Sequence, residues 1–366
     1  MDTAEKDIDQ DQQYFAYYGQ LANQQNMLQD LIRTTAYHQA IHSLDAKGKV
    51  VMDLGAGSGI LSMFAAHAGA RQVYAIEASS AIHYLRLLVK HNGFTDIIKD
   101  IHTKVENLAN DAVTSTIDAL ISEPIGVFLF HERMFESFLD ARDRFKPAVV
   151  MPVRAELMLA PFSDAALYQE VRSRVTEFWE GPKFFDLDMS VLLPEALREA
   201  FSAPLVGSID PNSLLSHTPT LKMFDLMSME KEELHKIEME LDMESEFTGI
   251  VHGFGSWFIT WLTEDCIIDT SPGKPRTHWH QLKLLLPTPF AVNQGDRIQG
   301  IFTATVNNQR SYDLVLVLKK PQTVTFRWKL HDQQFWNIYP HETPSYPPTF
   351  YNLYQQSNEE NPKFIV

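Results

Sequence analysis

The sequence predicts an α/β protein whose first half holds a parallel β-sheet and whose second half is all-β. Three observations support this prediction. Short apolar segments alternate with helical segments between residues 49 and 152, as they do in βαβ units. A glycine-rich turn, "GAGSG", follows the first apolar segment. After Pro152, longer apolar segments joined by turns replace the alternating pattern.

The elements of the first half follow in order. Residues 14–44 carry apolar residues at helical spacing, and Gly19 is expected to divide them into shorter helices that cover the sheet domain. Residues 1–13 are expected to be disordered. The domain at 45–150 contains, in chain order, strand 49–54, helix 59–70, strand 72–79, helix 80–92, a strand within 98–108, strand 117–124, helix 132–145 and strand 148–152.

The second half, at 151–339, reads as a barrel or sandwich. Its predicted strands lie in "RAELMLAPF", "EFTGIVHGFGSWFITWL", "THWHQLKLLL", "DRIQGIFTATVNN" and "YDLVLVLKK". Residues 178–206 interrupt them with a helical stretch whose apolar side chains have no local partner, which favours contact with a second subunit. Residues 340–366 are rich in proline and polar residues and are expected to form an extended tail.

Composition limits the possible functions. The chain has 366 residues, 45% of them hydrophobic, which is enough for large cores. Lys and Arg total 31 against 47 Asp and Glu, so the net charge is −16 at pH 7. This acidity disfavours nucleic acid as the main ligand and fits basic peptide partners, although it is also compatible with a role in solubility alone.

Cysteine and hydropathy patterns point to an intracellular location. The single cysteine, Cys266, cannot form an internal disulfide, and there is no Cys/His cluster of the metal-binding type. The chain has no apolar run long enough for a membrane span, and its start resembles neither a secretory signal nor a transit peptide.

The glycine turn indicates a ligand site. Its glycines are Gly55, Gly57 and Gly59. They allow a tight turn and a close approach of a ligand to a helix N-terminus, but Ile60 breaks the spacing of the NAD fingerprint. Asp53 precedes the turn, and Glu77 ends the second strand, where an acid can accept hydrogen bonds from both ribose hydroxyls. The pattern therefore indicates an adenosine-type cofactor; the alternative is an ordinary glycine-rich βα turn.

A third acidic position lies at the same predicted edge of the sheet. Val105 and Glu106 are expected to close the third strand, and the carboxyl ends of parallel strands meet at one edge. A carboxylate there can accept a hydrogen bond from an adenine amino group. The alternative is a solvated glutamate.

Two glutamates stand in an apolar run. Glu123 and Glu132 bracket "PIGVFLFH", and a buried carboxylate is costly unless a cation or a proton accompanies it. The alternative is a pair of structural carboxylates, because Glu132 would open the predicted helix 132–145, where an acid is favoured. If both glutamates are buried, the sequence indicates a cationic ligand that binds two carboxylates, and by itself does not identify that cation.

Five ordered motifs resemble those of the protein arginine methyltransferase family and are most similar to its coactivator-associated, type I branch. They are "YFAYYGQLANQQNMLQD", "DLGAGSGILSMFAAHAGA", "VYAIEAS", "SEPIG" followed by "HERM", and "THW". The resemblance covers residues 13 to 320, approximately. It implies a Rossmann-like S-adenosylmethionine methyltransferase domain followed by an antiparallel β-barrel domain with a helical dimerisation arm at 178–206.

The resemblance also implies an activity. S-adenosyl-L-methionine would be the cofactor and S-adenosyl-L-homocysteine its product, with monomethyl- and asymmetric dimethylarginine formed in proteins. Met27 matches a methionine associated with the asymmetric product, where a phenylalanine would suggest the symmetric one. Histone H3-like tails and other Arg-rich segments would be substrates of a homodimer in the nucleus and cytoplasm, with a role as a transcriptional coactivator. Neither membrane nor direct nucleic-acid binding is expected.

Under this resemblance Glu123 and Glu132 are the paired glutamates that hold the substrate arginine. A guanidinium has five N–H donors in a planar fork and stays charged at any accessible pH. Two carboxylates can each take one face of it, fix its plane and draw its charge away from one terminal nitrogen.

The remaining site residues also follow from the resemblance. Arg33 is expected to pair with the carboxylate of the methionine moiety, and Phe15 and Tyr18 to fold over the cofactor. Met134 and Ser137 are expected to line the adenine. Further cofactor contacts are expected from Met27, Asp53, Gly55, Gly57, Gly59, Glu77, Ala78, Val105, Glu106 and Glu123.

The "THW" motif and two departures concern the substrate side. His278 is expected to pair with Asp30 as a proton acceptor, and Trp279 to line the substrate channel, although "HW" in a β segment is by itself more typical of core packing. Ile125 stands where the family usually has Met, and Val127 where the coactivator-associated type has Tyr. Both are expected beside the arginine, so they leave substrate preference and turnover open.

Two other classes of function remain as alternatives. One is a non-catalytic adaptor that keeps the fold and binds basic peptides, which the intact Glu77, Glu123, Glu132 and Arg33 disfavour. The other is a methyltransferase that acts on a small amine or on nucleic acid, which the paired glutamates and the negative charge disfavour. An arginine methyltransferase with a different substrate or product is also compatible with the sequence.

Overall fold

The computed structural model describes residues 8–181 and 183–336, and the described residues up to Gln334 form one compact unit. The helices are α1 (Ile8–Tyr18), α2 (Leu21–Gln29), α3 (Leu31–Ser43), α4 (Ile60–His67), α5 (Ile82–His91), α6 (Met134–Phe145), α7 (Ala165–Trp179) and α8 (Leu193–Ser202). Single turns of 3-10 helix lie at Val105–Asn107, Ser190–Leu192, Pro211–Ser213, Lys231–Leu234 and Leu330–Asp332.

The strands fall into a first group within 50–151 and a second group after it. The first group is β1 (Val50–Leu54), β2 (Gln72–Glu77), β3 (Ile98–His102), β4 (Ala119–Ser122) and β5 (Val149–Met151). The second group is β6 (Arg154–Phe162), β7 (Leu205–Gly207), β8 (Thr220–Asp225), β9 (Lys236–Glu244), β10 (Gly249–Thr263), β11 (Cys266–Asp269), β12 (Gln281–Val292), β13 (Arg297–Val306), β14 (Tyr312–Lys320), β15 (Val324–Lys329) and β16 (Gln334–Phe335).

The first group forms a parallel sheet in the order β3-β2-β1-β4-β5, as predicted. All five residues of β1 are buried, as expected for a strand covered on both faces. The chain order reverses between β1 and β4, and ligands of such sheets bind beside the carboxyl ends at this point. The glycine turn after β1, Glu77 at the end of β2 and Glu123 just after β4 therefore share one edge.

Three helices precede the sheet. Gly19 separates α1 from α2, as predicted, and Asp30 separates α2 from α3, where its side chain accepts a hydrogen bond from the Arg33 backbone N–H. The prediction of disorder is wrong for residues 8–13, because α1 starts at Ile8 and Asp11 forms ion pairs with other parts of the fold. Residues 1–7, and the tail predicted at 340–366, lie outside the described residues.

The second half forms two antiparallel sheets. One runs β7-β12-β10-β6-β8, with β11 paired to β10, and the other runs β15-β14-β13-β9. The predicted barrel is corrected in one respect: among the described strands no ladder joins the two sheets, so they are not one closed hydrogen-bonded cylinder. Alternating buried and exposed residues along β9 give its sheet one apolar face, and both sheets contribute to the same core.

The predicted strands differ in accuracy. β6 and β14 coincide with "RAELMLAPF" and "YDLVLVLKK", whereas β12 starts at Gln281, after "THW". The division into domains at 45–150 and 151–339 stays a prediction.

Helices α7 and α8 form an arm between β6 and β7. The helical character predicted for 178–206 is present, but α7 already starts at Ala165. One predicted partner-facing residue is buried within its own chain: Phe201 on α8 is 3% exposed and packs against Tyr168 at 5.3 Å between ring centroids. Other apolar side chains of the arm are exposed, namely Phe178, Phe184, Phe185, Leu187, Val191 and Leu192.

Two local assignments at the site edge are corrected. β3 ends at His102, and Val105 and Glu106 lie in the 3-10 turn that follows it. Helix α6 starts at Met134, and Glu132 precedes it with φ +75° instead of opening it. The left-handed backbone reverses the chain between two buried rings, Phe130 and Phe135, whose centroids are 4.9 Å apart.

Among the described residues, none of the helices has the length and apolar character that crossing a bilayer requires.

Candidate active site

A cavity of about 730 Å³ lies at the carboxyl edge of the parallel sheet, within the range of small-molecule sites. Helices α1 and α2, the glycine turn, the 3-10 turn after β3, the segment between β4 and α6, and parts of the second half line it. The predicted site residues in its lining are Phe15, Tyr18, Met27, Arg33, Gly55, Gly57, Glu77, Ala78, Val105, Glu106, Glu123, Ile125, Glu132, Met134, Ser137 and His278.

The glycine turn is held from two sides. Gly57 has φ +54°, and its N–H donates to Glu77 Oε2 at 2.7 Å. The next N–H, of Ser58, donates to Gln24 Oε1 on α2 at 2.9 Å. A Cβ on Gly57 would lie 2.8 Å from that same Gln24 oxygen, so α2 packs directly against the turn.

Glu77 is buried at 6% exposure, and both of its oxygens are engaged. Besides Gly57, it accepts a hydrogen bond from the Ser79 N–H through Oε1 at 2.6 Å. These bonds fix the carboxylate at the end of β2. Each oxygen keeps further acceptor capacity, so the group can also receive hydroxyl donors.

A second carboxylate lies across the cavity edge from Glu77. Glu106 Oε1 accepts a hydrogen bond from the Ser137 hydroxyl at 2.5 Å, which ties the 3-10 turn to α6. Met134, from the first turn of α6, lies close to Gly55, where an added Cβ would be 2.9 Å from its methyl carbon.

Glu123 binds Arg33 within the protein. Both Nε and Nη2 of Arg33 donate to Glu123 Oε2, at 2.9 and 2.6 Å, and the two side chains are 7% and 8% exposed. Glu123 Oε1 accepts from the Ile125 N–H at 3.0 Å. Burial opposes the charge of Arg33, but the adjacent Glu123 raises the pKa of its guanidinium overall.

Glu132 faces helix α1. The Tyr18 hydroxyl donates to Glu132 Oε2 at 2.7 Å. Desolvation raises the pKa of the Glu132 carboxyl to about 7, with the charge of Glu123 adding to the rise; the bond from Tyr18 and the charge of Arg310 oppose it. Burial therefore makes the negative charge of Glu132 costly unless a cation arrives.

His278 and Asp30 are in contact, as predicted. His278 Nδ1 lies 2.7 Å from Asp30 Oδ2, and its backbone N–H donates to the same oxygen at 2.8 Å. Desolvation opposes ionisation of Asp30, but the bonds from His278 and Arg33 lower the pKa of its carboxyl overall. One carboxylate therefore fixes both the start of α3 and the orientation of the imidazole.

Five predicted site residues do not line the cavity: Asp30, described above, and four predicted ligand contacts. Asp53 is fully buried and accepts from the Ser62 hydroxyl at 2.6 Å, so it braces α4 from behind the turn. Gly59 faces Leu85, because a Cβ there would lie 2.7 Å from Leu85 Cγ. The other two residues, Trp279 and Val127, lie on the substrate side.

Trp279 binds the segment between β4 and α6, and Val127 is part of that segment. Trp279 is 1% exposed, and its indole N–H donates to the Ile125 carbonyl oxygen at 2.8 Å. It therefore supports the chain between the two glutamates instead of lining a channel. Val127 lies within the Gly126–Leu129 hairpin turn and is half-buried.

Several lining residues come from distant parts of the chain and were not predicted from the sequence. Gln24 lies inside the first quoted motif, but α2 also carries Asn23, Gln25, Asn26 and Gln29, so the polarity of Gln24 did not set it apart. Asp11, Tyr14, Lys104 and Arg310 gave no signal of their own, because their common location follows only from the fold.

Comparison with protein families gives two matches. Residues 153–322 match the family described as "Arginine methyltransferase oligomerization subdomain". Residues 33–126 match "Ribosomal protein L11 methyltransferase (PrmA)". The first match covers the antiparallel half with its arm, and the second covers most of the parallel sheet.

Comparison with curated proteins finds histone-arginine methyltransferases. The chain is 39% identical over 312 residues to "Histone-arginine methyltransferase CARMER" of Drosophila ananassae, covering 84% of this chain. The protein of the same name from Drosophila willistoni is 38% identical over 312 residues, again 84% of this chain. The chain spans 58% of the length of each of these relatives.

Comparison with solved structures gives the same family. The fold matches the Trypanosoma brucei PRMT1 enzyme–prozyme heterotetrameric complex with AdoHcy at a TM-score of 0.75 and 30% identity, covering 85% of this chain and 99% of that chain. It also matches Arabidopsis thaliana protein arginine methyltransferase 10 at 0.76 and 27%, covering 87% and 99%. The motifs, the fold and these matches agree, and the chain belongs to the protein arginine methyltransferase family.

Proposed function

We propose that the protein transfers a methyl group from S-adenosyl-L-methionine to an arginine side chain of protein substrates. The observation that carries this proposal is the placement of Glu123 and Glu132 on one cavity together with the glycine turn and Glu77. The two carboxylates suit a guanidinium, and the turn suits an adenosine-type cofactor.

The residues around the cavity fit this cofactor. Glu77 would receive the ribose hydroxyls, and Glu106 with Met134 and Ser137 would hold the adenine. Arg33 would bind the carboxylate of the methionine moiety, because its guanidinium already faces the cavity. When bound, S-adenosylmethionine supplies an electrophilic methyl group on a positively charged sulfur.

The paired glutamates would orient the substrate. Glu123 and Glu132 together carry up to two negative charges against one guanidinium, and they fix its plane through N–H donors. Binding a cation also favours the ionised form of Glu132, whose pKa of about 7 reflects desolvation. One terminal nitrogen is thereby left richer in electron density and pointed into the cavity.

His278 would take the proton that the nitrogen loses. Its Nδ1 is held by Asp30 at 2.7 Å, which leaves Nε2 as the acceptor when the imidazole is neutral. The substrate nitrogen is then the nucleophile, His278 accepts its proton, and Asp30 orients the imidazole.

Product and substrate are proposed at a finer level. Met27 lines the cavity and supports a type I product, asymmetric dimethylarginine. Histone H3-like tails and other Arg-rich segments fit the net charge of −16 and the similarity to histone-arginine methyltransferases. Action on histones would take place in the nucleus, and we propose a nuclear location with a cytoplasmic pool and a role as a transcriptional coactivator.

The arm supports a homodimer. Phe185 and Val191 are 85% and 81% exposed, and the helices α1, α2, α3 and α5 of the first half also expose large apolar side chains. These are Tyr17, Leu21, Ile32, Leu87 and Leu88. An arm that reaches these helices of a second copy, and receives the same contact in return, gives a two-fold dimer.

Mass spectrometry of peptide products tests the proposal. The protein is incubated with S-adenosylmethionine and either a histone H3 tail peptide or an Arg/Gly-rich peptide, each paired with a version in which Lys replaces every Arg. We expect mass gains of one and two methyl groups on arginine and none on the controls. Cofactor binding without any methylated arginine would favour the adaptor alternative.

Glu77→Ala is expected to weaken cofactor binding. Losing a charged hydrogen-bond partner of the ribose costs roughly 1.5–3 kcal/mol, or about ten- to a hundredfold in affinity. Calorimetry with S-adenosylhomocysteine measures this effect. Glu156→Ala is the matched control, since Glu156 lies on β6, outside the cavity lining. Unchanged affinity in Glu77→Ala would remove this residue from the cofactor site.

The value of kcat/KM is expected to rise with pH through neutrality. The clamp needs an ionised Glu132, and the pKa of this carboxyl is raised to about 7, so activity is lost as pH falls below that value. The rate should fall about tenfold per pH unit on the acid side. A profile on the same peptide that stays flat from pH 6 to 8 would show that Glu132 is ionised throughout.

A further inference from the structure

The turn between β13 and β14 contacts both neighbours of Glu132. The Asn307 carbonyl oxygen accepts from Arg133 Nη1 at 3.0 Å, and the Ser311 hydroxyl lies 3.0 Å from His131 Nδ1. His131 is 7% exposed, and Arg133 is 5% exposed. The β13–β14 turn thus holds the chain on each side of a glutamate that the resemblance assigns to substrate binding.

The same turn reaches helix α1 through Arg310. Its guanidinium carbon lies 4.0 Å from the centre of the Tyr14 ring and 5.8 Å from that of Phe15. Its Nη1 forms an ion pair with Asp11, which also pairs with Lys104. Arg310 is 6% exposed and lines the cavity.

These contacts close a circuit around Glu132. Helix α1 touches Glu132 directly through Tyr18, and it touches the β13–β14 turn through Arg310. The β13–β14 turn also contacts His131 and Arg133, which are the neighbours of Glu132. Movement of α1 away from the cavity would therefore break contacts on two sides of the carboxylate.

Charge adds to these contacts. The groups that face Glu132 are the hydroxyls of α1 (Tyr14, Tyr17 and Tyr18), the carboxylate of Glu123 and the guanidinium of Arg310. Of these, Arg310 is the cation, and its charge lowers the pKa of Glu132 against the larger effect of desolvation.

We propose that Arg310 is a positioning residue that fastens helix α1 over the cavity and keeps Glu132 ready for a guanidinium. Only the effect of Arg310 on Glu132 rests on the proposed function. The fastening of α1 is a property of the free protein. Lys104 is the internal comparison: it pairs with Asp11 and lies 5.1 Å from the Phe15 ring, but it is not among the groups that shift the pKa of Glu132.

Three variants of the full chain test the proposal: Arg310→Met, Arg310→Lys and, as the matched control, Lys104→Met. Hydrogen exchange of the 8–18 segment reports the fastening of α1, and the pH profile of kcat/KM reports Glu132. We expect Arg310→Met to speed exchange about tenfold and to move the acid limb up by about one pH unit. Arg310→Lys keeps the charge, so its acid limb should lie at the wild-type pH. Its exchange rate should return only partly to the wild-type value.

Lys104→Met should speed exchange without moving the acid limb. The proposal is overturned if Arg310→Met exchanges its 8–18 segment at the wild-type rate, or if its limb coincides with that of Lys104→Met. Circular dichroism of each variant establishes that it is folded. If the wild-type protein methylates no arginine peptide, the proposed function fails, while the exchange rates still decide whether Arg310 fastens α1.

Discussion

Glu123→Gln is expected to lower turnover by about 10²-fold or more, roughly 3 kcal/mol of transition-state stabilisation. The substitution keeps the size of the side chain and removes the charge that would face the substrate guanidinium. Methyl transfer to a histone H3 peptide, measured at saturating cofactor and peptide, gives the change in kcat. Turnover close to that of the wild type would contradict the role of this glutamate.

The same variant should not lose cofactor affinity. Glu123 accepts two bonds from Arg33 through one oxygen, so without the carboxylate a buried guanidinium is left short of an anion. The carboxylate of S-adenosylhomocysteine can replace it. We therefore expect Glu123→Gln to have a lower Tm than the wild type without ligand, and to gain more in Tm when the ligand is added.

Arg33→Met is the matched control for this reasoning. It removes the cation and leaves Glu123 intact, so it should weaken binding of S-adenosylhomocysteine, whereas Glu123→Gln should not. If both variants bind the ligand equally poorly, Arg33 and Glu123 act as one structural pair, and the separate roles proposed for them are wrong.

The second large effect is expected from the arm. Replacing both Phe185 and Val191 by Asp should convert a dimer to monomers, because two carboxylates per arm would be buried without partners at several kcal/mol. Both side chains are more than four-fifths exposed in the single chain, at 85% and 81%, so the monomer fold loses little packing. Mass in solution by light scattering decides the outcome.

A control and a second readout sharpen this test. Ile250→Asp changes an apolar residue that is 46% exposed on β10, outside the arm, and should leave the dimer intact. The partner arm is proposed to brace the outer side of α1 and α2, where Tyr17 and Leu21 are 53% and 56% exposed. Cofactor affinity should therefore fall in the double variant. A double variant that remains a dimer would contradict the proposed interface.

The parallel sheet was predictable because its signals are local. Each strand is a short apolar run bounded by a turn, and the observed β1, β2 and β4 lie within the predicted segments. Strand β9 was missed although Ile237, Met239, Leu241 and Met243 alternate with polar residues. That period of two was present in the sequence, but the acidic residues of "KIEMELDME" are uncommon in strands and weakened the prediction.

The site was predictable only where a motif stands in one segment. The chemistry of Glu123 and Glu132 follows from two carboxylates in an apolar run, whereas the bends at Glu132 and Arg133 come from the packing of the buried rings around them. By itself the "THW" motif favours core packing, as Trp279 shows at 1% exposure, whereas its position in a channel was implied by the resemblance. Such differences depend on which side of a segment the core lies, which is a tertiary property.

The ion pair between Asp11 and Arg310 has a consequence for the order in which the protein folds. The two residues are 299 positions apart, so α1 leaves the ribosome long before its anchor does. Until strands β13 and β14 pair, the 11-residue α1 lacks the contacts of Arg310 and keeps those to Glu132 and Lys104, and helices of this length are marginal in water. The parallel sheet is complete long before that, because its strands end at Met151. In the newborn chain, α1 is thus held over the nucleotide-type pocket by fewer contacts until β13 and β14 have been made.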